Sequence, residues 1–149
     1  METKNKFTLT VLSRSVNEGF ARAAVSAFAA ELDPTIEEIQ DIKTAVSEAV
    51  TNCIVHAYRD TIGKIYISGE ILEGNTLRIK IRDKGCGIDD IKQAMQPLFT
   101  TLGGERAGLG FAVMESFSDG IKVTSKKGKG TCVTLIKRIS PKYTSNART

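Results

Sequence analysis

Three side chains with chemical potential stand in file near the end of one segment, SEAVTNCIVHAY at 47–58: Glu48, Asn52 and His56, each four residues from the last. At ~100° per residue a four-residue step drifts by only about 40°, so a carboxylate, an amide and an imidazole form one row on a helix. The bland reading is the wet side of an amphipathic helix whose opposite face is Val46, Ala49, Val50, Cys53 and Ala57. Val55 beside the row makes it drier than most solvent faces. The row acquires meaning only with a second motif elsewhere.

Asp83-Lys84-Gly85-Cys86-Gly87 supplies one, directly after a strand-like run. Glycines there open backbone conformations closed to other residues and allow a ligand close to the chain. An aspartate at a strand end can accept a hydrogen bond from an exocyclic amino group such as that of adenine. A plain surface turn explains the same five residues. Gly108-Leu109-Gly110 sits where a loop runs into a helix, and the free N–H groups of such a junction suit a phosphate. A helix cap without a ligand reads equally well. Arg106 lies within reach of a terminal phosphate or is a solvated arginine. The chain has no G-x-x-x-x-G-K-[ST] loop, no G-x-G-x-x-G after a strand, and no H-R-D with D-F-G.

The elements that must hold these groups follow from pattern. FTLTVL (7–12) reads as an opening strand. Ser15 with Glu18 forms an S-x-x-E capping box for a helix ending near Leu32, before Asp33-Pro34. Thr35 with Glu38 is a second box, opening the helix that carries the row. From Gly63 the period becomes two, giving strands in KIYISGEILE and TLRIKIRD that turn at Glu73-Gly74-Asn75. A short helix is expected near 89–95, a long glycine-rich loop over 96–110, a helix at 109–118, and strands at 121–126 and 131–138 joined by KKGKG. The order β-α-α-β-β-α-α-β-β predicts an α+β two-layer α/β sandwich, a mixed sheet with helices on one face.

Composition narrows the class. With 149 residues, 41% apolar and 26% charged, the chain is one ordinary globular domain, read as 1–139 with a basic, frayed tail at 140–149. No apolar run approaches the ~18 residues of a membrane span and METKNKF has no signal-peptide core, so a cytoplasmic protein without membrane contact is expected. Three cysteines without a CxxC pair, and a single histidine, argue against a disulfide framework and a zinc site. The net charge of +4 equals the charge of Lys137, Arg138, Lys142 and Arg148, so residues 1–136 sum to zero and direct nucleic-acid binding is not expected.

E-x-x-x-N-x-x-x-H, then D-x-G-x-G about thirty residues on, then a glycine-rich lid ending G-x-G, then Gly130-Thr131, make a conjunction far more specific than its parts. Over about 40–135 it resembles the GHKL (Bergerat-fold) ATPase and kinase superfamily, the group of gyrase and the histidine kinases. Within that group SEAVTNCIVHAY, QPLFTT and NEGFAR are similar to the anti-sigma factors of sporulation, small serine kinases that also sequester a sigma factor. The resemblance implies ATP or ADP with Mg²⁺. It implies Asn52 as the Mg²⁺ ligand, Asp83 on the adenine amino group, and Gly85 and Gly87 shaping the adenine pocket. Thr101, Gly108 and Gly110 would line the nucleotide, Thr131 would support the adenine contact, and Arg106 would act at the terminal phosphate. Glu48 would be the base that takes the serine proton, which explains a helix carrying base and metal ligand on one face. Arg22 would contact partners: a sigma factor and a small anti-anti-sigma antagonist, the phosphorylation substrate. A homodimer is implied. The alternatives are a sequestering module that binds nucleotide without transferring phosphate, and a stress-response anti-sigma kinase with another sigma partner. The chain departs from the pattern with Leu102 where a lysine is usual, a short lid, and Ala57 where a glycine is common.

Overall fold

The computed structural model describes residues 2–88 and 110–141. Five strands form one sheet: β1 (Thr3–Leu12), β2 (Lys64–Leu72), β3 (Thr76–Asp83), β4 (Gly120–Lys126) and β5 (Gly130–Arg138), in the order β1-β2-β3-β5-β4. Three helices accompany them: α1 (Val16–Ala29), α2 (Ile36–Asn52) and α3 (Phe111–Ser116). The expected short helix at 89–95 and most of the glycine-rich loop lie outside the described residues.

The two-layer α+β architecture is as the pattern predicts, but the sheet is antiparallel rather than mixed. Every pairing, β1 with β2, β2 with β3, β3 with β5 and β5 with β4, is antiparallel. Two causes are visible. Between β1 and β2 the chain turns back three times, into α1, into α2 and into β2, an odd number that leaves those neighbours opposed. β3 and β4 do run the same way, but β5 is inserted between them.

One face of the sheet alternates apolar residues toward the helices. Ile65, Ile67, Ile79, Ile81, Val133 and Leu135 pack against Val25, Ala45, Val46, Ala49, Val50 and Met114, all nearly fully buried. At roughly 1.5–3 kcal/mol per buried large aliphatic side chain, this layer dominates the favourable side of folding. Local signals vary in outcome. Thr35 and Glu38 form the complete capping box, with Glu38 N–H donating to Thr35 Oγ1 at 3.0 Å and Thr35 N–H to Glu38 Oε1 at 2.8 Å. Ser15 does not cap: its backbone is already helical (φ −58°, ψ −31°), so the hydroxyl cannot turn back onto the first turn. Glu18 instead pairs with Arg22 at 3.2 Å. The turn at Glu73-Gly74-Asn75 forms as expected, with Gly74 and Asn75 at positive φ.

α2 does not run straight into the loop. It ends at Asn52 and widens into a π-turn, Cys53–Ala57, in which Tyr58 N–H donates to the Cys53 carbonyl at 3.1 Å. Such turns often mark functional places. At the other end Glu38 Oε2 accepts from both the N–H (2.8 Å) and the hydroxyl (2.7 Å) of Ser140, so the predicted tail is anchored at its first residue.

The zero net charge of residues 1–136 conceals a segregation. The five strands carry ten Lys and Arg against two acids, a net +8. The helical stretch 16–52 carries seven acids against two bases, a net −5. The exposed Lys80 and Arg82 of β3 and Lys122 of β4 stand on the open face, where Arg82 lies 4.4 Å from the centre of the Tyr66 ring.

Candidate functional site

The site is built where the end of α2 meets the end of β3. Glu48 and Asn52 project from the last turns of α2, half-buried rather than on a wet face, and His56 follows in the π-turn, half-buried as well. The expectation of one continuous α-helical row therefore holds for Glu48 and Asn52 but not through His56.

Asp83 closes β3 and points toward the helices. It is 6% exposed, an unusual state for a carboxylate. Its Oδ1 accepts the N–H of Gly85 at 2.9 Å and of Thr131 at 3.3 Å. Its Oδ2 faces the Cys53 thiol, 3.5 Å away. Burial pushes the Asp83 carboxyl above its usual value, while the Gly85 N–H, the Cys53 thiol and the Thr131 N–H pull it back. Burial, reinforced by the neighbouring Asp83, also holds the Cys53 thiol well above its ordinary range, so the sulfur keeps its proton and donates.

The glycines of D-x-G-x-G serve chain packing first. A Cβ on Gly85 would strike the carbonyl and side chain of Ala57, so the loop lies directly on the π-turn. Cys86 N–H seals that contact by donating to the Ala57 carbonyl at 3.2 Å. Gly87, at φ +79°, lies against the backbone of Lys126 and Lys127, where β4 ends and the turn to β5 begins. The close approach read as room for a ligand is, on these sides, filled by protein. Gly110, at φ +75°, precedes α3 and backs onto the Glu48 carboxylate, where a Cβ would collide. The structure thus brings Glu48 to the glycine that opens α3, and Asp83, Gly85 and Thr131 into one hydrogen-bonded set. Thr131 also shares a 2.7 Å hydroxyl contact with Ser125.

Thr101, Arg106 and Gly108 lie outside the described residues. Arg22 stands apart on α1, exposed and paired with Glu18. Two residues escaped sequence reasoning. Cys53 counted only as part of the apolar face. Tyr58 donates its hydroxyl to the Lys64 carbonyl and accepts the Lys84 N–H, both at 2.7 Å, which fixes the backbone beside Asp83. Position in the chain gave a faint sign: Cys53 lies inside the E-x-x-x-N-x-x-x-H row and Tyr58 two residues past its end.

A hollow of about 300 Å³ opens at the hairpin end, lined by Asp83, Ser125 and Thr131 together with Arg82, Thr124, Cys132 and the turn residues Lys126, Lys129 and Gly130. Arg82, Cys132 and Thr124 are in register across the sheet. The strand pleat turns Arg82 to the open face and Asp83 to the helix side, so the hollow at this end of the sheet draws its lining from both faces.

The donor set is oxygen-rich. An amide oxygen from Asn52 and the carboxylate of Glu48 are hard ligands of the kind Mg²⁺ accepts alongside phosphates. Buried Asp83, with directional acceptor capacity, suits a base's amino group. Among the described residues no helix is long and apolar enough to cross a membrane.

Comparison with known proteins agrees with this geometry. Residues 12–137 match the family model of the histidine kinase-like ATPase domain. The anti-sigma F factor of Caldanaerobacter subterraneus is 59% identical over 140 residues, covering 93% of this chain and 97% of that protein. That of Clostridium acetobutylicum is 51% identical over 138 residues, covering 92% and 96%. The RsbU and RsbW domains of a Mycobacterium tuberculosis protein superpose with a TM-score of 0.69 at 21% identity, over 93% of this chain and 33% of that longer one. The catalytic domain of the histidine kinase ThkA superposes with a TM-score of 0.56 at 16% identity, over 93% of this chain and 97% of that one, a likeness of fold. With a family model spanning most of its length and relatives of matching length at half identity or better, the chain belongs to the histidine kinase-like ATPase family, in its anti-sigma F factor branch.

Proposed function

We propose that this chain is a cytoplasmic, ATP- and Mg²⁺-dependent protein-serine kinase that also binds and restrains a sporulation sigma factor. Its substrate would be a serine on a small anti-anti-sigma antagonist. The observation that carries the reading is the Asp83 arrangement: a buried carboxylate with Oδ1 fixed by two backbone N–H groups and Oδ2 turned toward the end of α2.

In this reading Oδ2 of Asp83 accepts the adenine amino group. Gly85 and Gly87 hold the loop that forms the adenine wall, and Thr131 keeps Asp83 in place. Gly108 and Gly110, with Thr101, face the phosphates, and Arg106 acts at the terminal one. Asn52 holds Mg²⁺, which when bound neutralises phosphate charge. Glu48 takes the proton of the attacking serine hydroxyl as its oxygen bonds to the γ-phosphorus and ADP departs. Gly110 sets where that base can stand, because the Glu48 carboxylate lies against its backbone. Arg22, on the exposed side of α1 and away from this chemistry, contacts the sigma factor and the antagonist, and the chain works as a homodimer.

The test is incubation of the wild-type chain with γ-labelled ATP and candidate antagonists encoded beside it. Label on a serine of one antagonist is the expected result. ATP and sigma binding without transfer to any antagonist would instead make the chain a sequestering module.

A further inference from the structure

Asp83 is held from three directions, and only two of its holders belong to the backbone. Oδ1 is engaged by the N–H groups of Gly85 and Thr131. Oδ2, the oxygen left to face a ligand, receives the thiol of Cys53 at 3.5 Å. Cys53 is 3% exposed and opens the π-turn at the end of α2, so its sulfur is fixed by the same backbone that carries Asn52. The terminal torsion of an aspartate is soft and roughly two-fold, so contacts to one oxygen leave the carboxylate plane loosely defined. A donor on the second oxygen removes that freedom.

A thiol fits this task for a chemical reason. A carboxylate oxygen has two lone-pair sites, and the S–H group is a weak donor that engages one without exhausting the oxygen. It is also apolar enough to be buried beside Val50 and Ile81 in the core. The other ionisable groups around Asp83 are set differently. Tyr58 spends its hydroxyl on Lys64 and Lys84, the Lys84 ammonium lies 5.3 Å from the Tyr66 ring, and Cys132 belongs to β5.

We infer that Cys53 is a positioning residue for base recognition: its thiol orients Asp83 so that Oδ2 presents a free lone pair to the exocyclic amino group of the base, and so sets the preference for adenine. The inference rests on the nucleotide-binding reading and adds a determinant of selectivity to it.

The experiment titrates ADP and inosine diphosphate, which lacks the amino group, into the wild-type protein and into Cys53→Ser, Cys53→Val and Cys53→Ala, with the thermal midpoint of each recorded. Cys53→Val and Cys53→Ala should weaken ADP roughly three- to tenfold, the range of one modest hydrogen bond, and leave inosine diphosphate nearly unchanged. Cys53→Ser restores a donor and should return ADP affinity to within about twofold of wild type. Valine fills the volume without donating, so a packing role predicts the reverse order, valine tolerated and serine harmful. That order, or a parallel loss of both nucleotides in every variant, overturns the inference. If Cys53→Ala does not fold, the valine and serine pair still decides. A wild-type protein that binds ADP no better than inosine diphosphate would overturn the adenine reading itself. A wild-type preference that survives in Cys53→Val overturns only the role of Cys53.

Discussion

Arg82 and Asp83 are neighbours on one strand and live in opposite worlds. Arg82 is exposed on the basic face of the sheet, lying over a tyrosine ring. Asp83 is buried on the helix side with three donors converging on its two oxygens. The pleat alone separates them. On the open face a side chain has many acceptable positions, and its charge is shared with solvent. On the helix side each contact is over-determined: the loop glycine lies on Ala57, Thr131 holds Asp83, and Gly110 sets Glu48. A buried carboxylate is unfavourable unless such donors surround it. Their presence at this one aspartate marks the strand end as a place shaped for something other than stability.

The contrast predicts where substitutions bite. Glu48→Gln keeps size and place but removes the proton acceptor, so phosphate transfer to the antagonist should fall by ~10²–10⁴-fold while nucleotide binding survives. Quantified labelling in a single-turnover assay measures it, and full activity would return Glu48 to an ordinary helix face. Gly85→Ala forces a methyl into the Ala57 carbonyl. Stability should drop by roughly 1–3 kcal/mol in urea titration, with weaker ADP binding, because the loop must lift off the π-turn.

Acid titration separates two carboxylates by sign. Burial tends to raise Glu38, but its bonds from Thr35 and Ser140 outweigh this and hold it down at about 2, below its ordinary 4.5. Its folded form binds fewer protons than the unfolded chain, so its contribution is complete above 4.5 and fades as pH falls toward 2. Asp83 is displaced upward from 3.8, so between 3.8 and its folded value the native state binds more protons, and its contribution to stability falls as pH rises. Glu38→Gln should therefore flatten the loss of stability below about pH 4.5, read from denaturation midpoints at stepped pH. An unchanged acid limb would contradict the Thr35 and Ser140 bonds as the origin of the shift. The smallest effect belongs to the open face: Arg82→Ala should change stability by less than about 0.5 kcal/mol and leave ATP affinity as it is.

Much of this was legible in residue order, for reasons that are local. The Thr35–Glu38 box, the turn at Gly74-Asn75 and the position of D-x-G-x-G after a strand depend on neighbours within a few residues. What escaped depends on distant ones. Ser15 has the same spacing to Glu18 as Thr35 to Glu38, yet the path from β1 leaves its backbone helical and Glu18 turns to Arg22. Insertion of β5 between β3 and β4 is a non-local pairing that no strand announces. The partnership of Cys53 with Asp83 spans thirty residues and joins the first residue of the π-turn to the end of β3. The bland reading of the glycines proved half right: they do make a turn, but one pressed onto the end of the helix rather than left at the surface.

Asp83 is the residue on which recognition of the base depends most. Asp83→Asn preserves shape and still accepts from Gly85 or Thr131, but it can present an amide NH₂ where an adenine amino group needs an oxygen. Calorimetric titration of ATP and ADP, beside the wild type and Arg82→Ala, tests this directly. The expected result is a loss of roughly 10–100-fold in Asp83→Asn, equivalent to about 1–3 kcal/mol, with Arg82→Ala unaffected. Near wild-type affinity in Asp83→Asn would remove Asp83 from the nucleotide site and contradict the account.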